Sequence, residues 1–228
     1  MRSNTEQIRE FIINNVTEHP SDIARFAATN FGVSVQAINS HLKSLVQSNI
    51  LVAEGKTKAR VYKLFNKTSI FNYKITPDLS EDRVWRSDIE PFVASFADNV
   101  QRIWMYCFSE IFNNAIDHSG GSNITVKVSQ DVLNTKIIIQ DDGIGIFNKV
   151  SAHLGIDDLR EVVTEIAKGK FTTDKQNHTG EGIFFTSRMV DVFFIWSYKI
   201  SWMHFFDKAD WVFDENTKSE YKGTSVSL

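Results

Sequence analysis

Residues 107–120 read CFSEIFNNAIDHSG, and their spacing predicts a helix. At 3.6 residues per turn Glu110, Asn114 and Asp117 stack on one side, while Phe108, Ile111, Phe112, Ala115 and Ile116 spread over the rest. A helix apolar over most of its surface belongs in a core, and its one polar seam is costly there unless a ligand, a metal or water satisfies it. The seam therefore reads as the floor of a binding site.

Working outward, the chain of 228 residues, 42% of them hydrophobic, is long enough for one large domain or two smaller ones with a real core. No apolar run approaches a membrane span, and the N-terminal MRSNTEQIREF lacks the apolar segment of a signal peptide, so a soluble cytoplasmic protein is expected. The single cysteine, Cys107, excludes an internal disulfide and reads as a core residue rather than a reactive thiol. A net charge of −3 hides an asymmetry: residues 1–65 hold 8 Lys/Arg against 5 Asp/Glu, giving +3, and the remainder 17 against 23, giving −6. The basic N-terminal quarter is compatible with a polyanionic partner.

That quarter has its own pattern. Ile8, Phe11, Ile12 and Val16 predict a helix over Thr5–Val16, closed by His19-Pro20. Ser21 caps a second, Asp22–Asn30, which Gly32 ends, and Ser34 opens a third reaching about Ser48 with Val35, Ile38, Leu42, Leu45 and Val46 inward. Ile50–Glu54 and Ala59–Leu64 flank Gly55-Lys56-Thr57-Lys58 as a hairpin. Three helices and a basic-tipped hairpin resemble the winged helix-turn-helix family over residues 1–65. The resemblance implies DNA contact through Gln36, Asn39, Ser40 and Lys43 on the third helix and Lys56, Lys58 and Arg60 on the wing. Solvated surface, or a protein-docking module, are the alternatives.

Residues 66–79 read as a linker able to supply one edge strand, and residues 80–228 as a second domain. A long helical pattern from Ser80 is kinked or divided at Pro91 and runs on into the polar seam. After Gly120-Gly121 the period becomes two at Ile124, Val126 and Val128; Lys136–Gln140, KIIIQ, then predicts a strand buried on both faces. It ends in Asp141-Asp142-Gly143-Ile144-Gly145, acids and glycines placed where α/β proteins keep ligands. Residues 147–179 read as an irregular cover with one helix near Asp157–Lys168. Thr179-Gly180-Glu181-Gly182 leads into a helix over Ile183–Val190, whose free N–H groups suit a phosphate. Aromatic strands close the chain, ending in Gly223-Thr224.

Glu110 and Asn114 four apart on a helix, Asp141-x-Gly143-x-Gly145 after a strand, Gly180-x-Gly182 before a helix, and a terminal Gly223-Thr224 together resemble the GHKL ATPase superfamily of gyrase, heat-shock chaperone, histidine-kinase and mismatch-repair ATP-binding domains. Each motif alone is weak; four in the family's order are strong. The resemblance implies that Asn114 ligates Mg²⁺, that Asp141 accepts from the adenine amine, and that Gly143 lets the purine approach while Gly145 turns the chain away. It also implies that Gly180 and Gly182 wrap the phosphates of ATP or ADP, that Thr224 lies by the adenine, and that Glu110 takes a general-base position. Ordinary surface acids and turn residues are the alternatives. Glu181 departs from the pattern, since an acid beside phosphates repels; Lys168, Lys170 and Lys175 are candidate compensating charges. His118 reads as a helix-end residue, and Leu79–Trp104 contains no histidine, which disfavours a histidine autokinase. The layout is closer to the anti-sigma serine-kinase branch.

The expected fold is α+β, a winged helix followed by a GHKL-type α/β sandwich in which helices cover one face of a mixed sheet. The expected function is Mg·ATP-dependent regulation through DNA or a protein partner, with a protein serine kinase or ATPase using Glu110 as the alternative.

Overall fold

The computed structural model describes residues 4–169, 182–207, 211–215 and 221–228. It divides into two compact units: residues 1–68 with 129–135, and residues 69–128 with 136–228. No helix among the described residues is long and apolar enough to cross a membrane.

The first unit packs α1 (Asn4–Asn15), α2 (Ile23–Phe31) and α3 (Val35–Gln47) around Ile8, Ile12, Ile23, Ala27, Ile38, Leu42 and Leu45, all buried. Gly32 closes α2, and the Ser34 hydroxyl accepts from Ala37 N at 3.2 Å to start α3. Ser21 is not the cap of α2. Asp22 holds the N-cap position without a capping bond, its carboxylate being 3.2 Å from His19 Nδ1. Strands β1 (Leu51–Glu54) and β2 (Val61–Leu64) pair antiparallel, and the turn between them contains a short 3₁₀ segment, Thr57–Ala59. Tyr62 N donates to Pro20 O at 2.8 Å, tying β2 to the α1–α2 connection.

The second unit is built on a seven-stranded sheet. Its strands are β3 (Lys67–Lys74), β4 (Asn123–Gln130), β5 (Thr135–Asp141), β6 (Val192–Ser197), β7 (Ile200–Phe205), β8 (Trp211–Glu215) and β9 (Thr224–Ser227), in the spatial order β3-β4-β5-β9-β6-β7-β8. The last strand in sequence thus inserts between β5 and β6, antiparallel to both. Residues expected to form a linker supply the edge strand β3. KIIIQ is half-buried: Ile137 and Ile139 are enclosed while Ile138 and Gln140 are partly exposed, because helices pack on one face only of this strand.

The helical pattern from Ser80 resolves into α4 (Glu81–Val84), a π-helical turn Trp85–Ile89, and α5 (Glu90–Val93), followed by a break and then α6 (Asp98–His118). Pro91 does not divide it: the helical run is continuous over residues 81–93 and breaks at 94–97, and the π-helical turn directly before Pro91 accommodates its missing N–H. On α6, Phe108 and Phe112 are fully buried, their rings 5.2 Å apart; Trp85 packs on the first and Tyr73 edge-on to the second. Each such side chain contributes about 1.5–3 kcal/mol. Cys107 is fully enclosed and its thiol is pushed up to about 12 by burial, as befits a core residue. The cover holds two helices, α7 (Ile146–Leu154) and α8 (Leu159–Ala167), where one was expected; α9 (Gly182–Met189) follows. The missed helix α7 begins directly after Gly145, where glycine-rich sequence masks the helical period.

Candidate nucleotide site

The end of α6, the turn after β5, the start of α9 and the start of β9 supply the predicted residues. Asp141, the last residue of β5, is 5% exposed. Its Oδ1 accepts from Gly143 N at 2.9 Å and from Thr224 N at 3.2 Å, and the Thr224 hydroxyl lies against the same carboxylate. Burial raises its pKa above the ordinary carboxylate value, and the Gly143 and Thr224 amides together with the Thr224 hydroxyl only partly oppose that. Its neighbour differs. Asp142 is exposed and accepts from Ser122 N, Asn123 N and Asn123 Nδ2 at 2.7, 2.9 and 2.7 Å, and the Asn123 side chain leads in holding its pKa below the usual range. Asp142 ties the turn to the start of β4, and Asp141 is left with acceptor capacity to spare.

Gly143 has a reason of its own, distinct from the approach of a purine. A Cβ there would lie 2.1 Å from Ser119 O, and Ile144 N donates to that same carbonyl at 3.0 Å, so the turn packs on the end of α6. Gly145, at φ +82°, turns the chain into α7 in the left-handed region and passes close to Ser197 Oγ and Lys222 O. Thr224 is buried; its hydroxyl accepts from Ile146 N at 2.9 Å, joining β9 to the start of α7.

On α6, Glu110 and Asn114 are both half-buried. The Glu110 carboxylate lies against Gly182, the first residue of α9: a Cβ at Gly182 would be 2.0 Å from Oε2. The Asn114 side chain makes no hydrogen bond to a described residue and is available as an oxygen ligand. No group of three His, Cys, Asp or Glu suited to a metal ion occurs among the described residues. Magnesium fits such a site, since it takes one or two protein oxygens, keeps waters, and is completed by phosphates. Asp117 is exposed, and His118 ends α6. Gly180, Glu181, Lys170 and Lys175 lie outside the described residues, and Lys168 is ion-paired on the surface with Glu165 at 2.6 Å.

Three residues escaped the sequence reading. Tyr221 donates its hydroxyl to Asp141 O and stacks on Trp196, ring centroids 5.3 Å apart. Ser197 Oγ donates to Gly223 O at 3.0 Å. Lys149, four residues after Gly145, donates to His118 O at 2.7 Å and faces the Asp117 charge; burial depresses its pKa. Only Lys149 had a signal, a cation at helical spacing behind the glycine turn.

With this geometry in place, the comparison with known families is decisive. Residues 99–227, more than half of the chain, match the model of the histidine kinase-, DNA gyrase B- and HSP90-like ATPase family. The chain belongs to that family. Membership implies ATP binding, and the matched span of this ATPase domain runs from the first turn of α6 to the end of β9, enclosing every candidate nucleotide residue. No curated protein matches the chain.

The first unit carries the other predicted set. Gln36, Asn39, Ser40 and Lys43 are exposed on α3, and Lys56 and Arg60 are exposed in the hairpin; the Lys58 side chain lies outside the described residues.

Proposed function

We propose that this ATPase domain binds Mg·ATP as a regulatory ligand, and that its occupancy governs DNA contact by the first unit. The observation that carries the nucleotide reading is Asp141, a buried carboxylate whose Oδ1 is fixed by two backbone N–H groups at the end of β5. An acceptor so held suits the exocyclic amine of adenine. Asn114 then offers its side-chain carbonyl to Mg²⁺, Gly182 presents its amide to the phosphates at the start of α9, with Gly180 assigned the same role from the motif alone, and Gly143, Gly145 and Thr224 shape the base pocket. When bound, Mg²⁺ would supply neutralisation of phosphate charge, held by Asn114, while the chain's own residues bind and orient the nucleotide. Calorimetric titration with Mg·ATP, Mg·ADP and Mg·GTP tests this. Both adenine nucleotides should bind and GTP should not, because guanine places a carbonyl where adenine has its amine. Failure of ATP to bind, or equal affinity for GTP, sinks the reading.

Support for DNA contact comes from the three helices and basic hairpin, with Gln36, Asn39, Ser40 and Lys43 along α3 and Lys56, Lys58 and Arg60 on the hairpin, in the manner of a winged helix. The regulatory part is tested by DNA affinity with and without Mg·ATP; equal values refute it.

A second reading, a protein serine kinase or ATPase, is favoured by the Glu110 carboxylate at the first residue of α9. A carboxylate there suits the role of general base at the phosphate end of the site.

A further inference from the structure

Within the first unit, a groove of about 750 Å³ runs between the start of α2, one face of α3 and the β1–β2 hairpin. Three cations line it, one from each wall: Arg25 from α2, Lys43 from α3 and Arg60 from the hairpin. All three are exposed, and none of the three side chains is hydrogen-bonded or ion-paired to a described residue. The single acid in the lining, Asp22, has its carboxylate 3.2 Å from His19 Nδ1. Tyr62, half-buried on β2, adds an aromatic wall and Asn39 a neutral donor.

Three like charges converging on one concavity from separate elements repel one another, and concave low-dielectric walls concentrate their field. Each would be unremarkable on a convex surface. Together they are matched by a ligand that brings several anions in succession. One carboxylate or one phosphate is satisfied by one or two cations, whereas a sugar–phosphate chain places a charge at every residue, and an aromatic wall offers its bases a stacking face.

We propose that this groove seats one sugar–phosphate strand of a nucleic acid, with Arg25, Lys43 and Arg60 as its phosphate contacts. The proposal rests on the reading of the first unit as a DNA-contacting module and adds to it α2, which that reading does not use. The groove, rather than the outer face of α3 alone, then carries the electrostatic part of binding.

The test is fluorescence anisotropy of the full chain with a labelled 20-nucleotide single strand and the corresponding duplex, across a KCl series. Arg25→Gln, Lys43→Gln and Arg60→Gln should each reduce the slope of log K against log salt by about 0.7 for the single strand or about 0.9 for the duplex. Thermal unfolding should be unchanged, because all three side chains are exposed. Arg25→Gln is the deciding variant. If DNA binds and this variant leaves the slope intact, the groove proposal is overturned while DNA contact through α3 and the hairpin stands. If wild type binds neither oligonucleotide, both fall. Equal competition by poly-glutamate, lost in the same three variants, overturns the strand in favour of an acidic protein segment.

Discussion

The carboxylate of Glu110 occupies the space that a Cβ on Gly182 would need, with Oε2 2.0 Å from the ideal Cβ position. The acid of α6 and the first residue of α9 are thereby fitted to one another, which makes Gly182 a steric partner of Glu110 as well as a candidate phosphate-binding residue.

The obstacle at Gly182 is the tip of a flexible side chain, so Gly182→Ala should displace Glu110 and leave the fold nearly intact, within about 0.5 kcal/mol. At Gly223 the obstacle is main chain: a Cβ would lie 1.8 Å from Asp141 O. Gly223→Ala should therefore cost about 1–3 kcal/mol through overpacking, lowering the melting temperature by roughly 2–4 °C per kcal/mol. Calorimetric melts of the two variants compare them directly, and similar melting temperatures would contradict the assignment.

The adjacent aspartates should respond to pH with opposite signs. Asp141 has a folded pKa raised by burial, so its contribution to stability is present below the ordinary carboxylate value and is lost as pH rises through the raised one. Asp141→Asn should remove that penalty at neutral pH. Asp142 has a depressed pKa, so it stabilises above the ordinary value and loses this as pH falls through the lowered one. Asp142→Asn should destabilise at neutral pH and cease to do so in strong acid. Urea melts from pH 3 to 7 read both.

Nucleotide binding provides a separate readout of Asp141. The hydrogen bond proposed between it and the base is charge-assisted, so Asp141→Asn should weaken Mg·ATP binding by about 1.5–3 kcal/mol, roughly 10- to 150-fold. Wild-type affinity should also fall on acidification at a pH above the usual carboxylate range, as the raised pKa is crossed. Titration calorimetry at stepped pH measures both effects, and an affinity indifferent to the substitution counts against Asp141 as the base contact.

Glu110→Gln separates a regulatory ligand from a reactive one. It should leave Mg·ATP affinity within a few-fold of wild type; if Glu110 is a general base, phosphate release or transfer should drop by about 100-fold or more. A wild type with no measurable turnover dismisses the enzymatic reading and leaves the binding reading in place.

Tyr221→Phe removes the hydroxyl that meets Asp141 O and keeps the ring on Trp196. The lost bond should cost about 0.5–1.5 kcal/mol, and loosening the Asp141 main chain should weaken ATP binding as well. Tyr221→Phe behaving as wild type in both melting and titration would reduce the contact to a bystander.

What was legible in the sequence is local. The apolar period of α6 exposed Glu110 and Asn114 because side chains three and four apart share a helix face whatever surrounds them. The turn after β5 was legible because Asp and Gly adjoin one another there. Helix α7 was missed where glycines obscure its start, and KIIIQ was taken as buried twice over because a run of isoleucines cannot say which faces are covered. Tyr221 could not be found at all, since its partner Asp141 comes within reach only once β9 has inserted beside β5.

The sequence by itself determined most of the elements, α7 excepted, the polar seam of α6, the order of the nucleotide motifs and the basic first unit, all of which follow from spacing along one chain and from side-chain chemistry. Only the tertiary structure decided that Asp141 is buried and held by Gly143 and Thr224 while Asp142 is spent on the turn, that Gly143 and Gly223 yield to main-chain carbonyls, and that Arg25, Lys43 and Arg60 meet around one groove. Those outcomes depend on which distant segments exclude water and one another from the same space, and close packing settles that only after the strands have found their order.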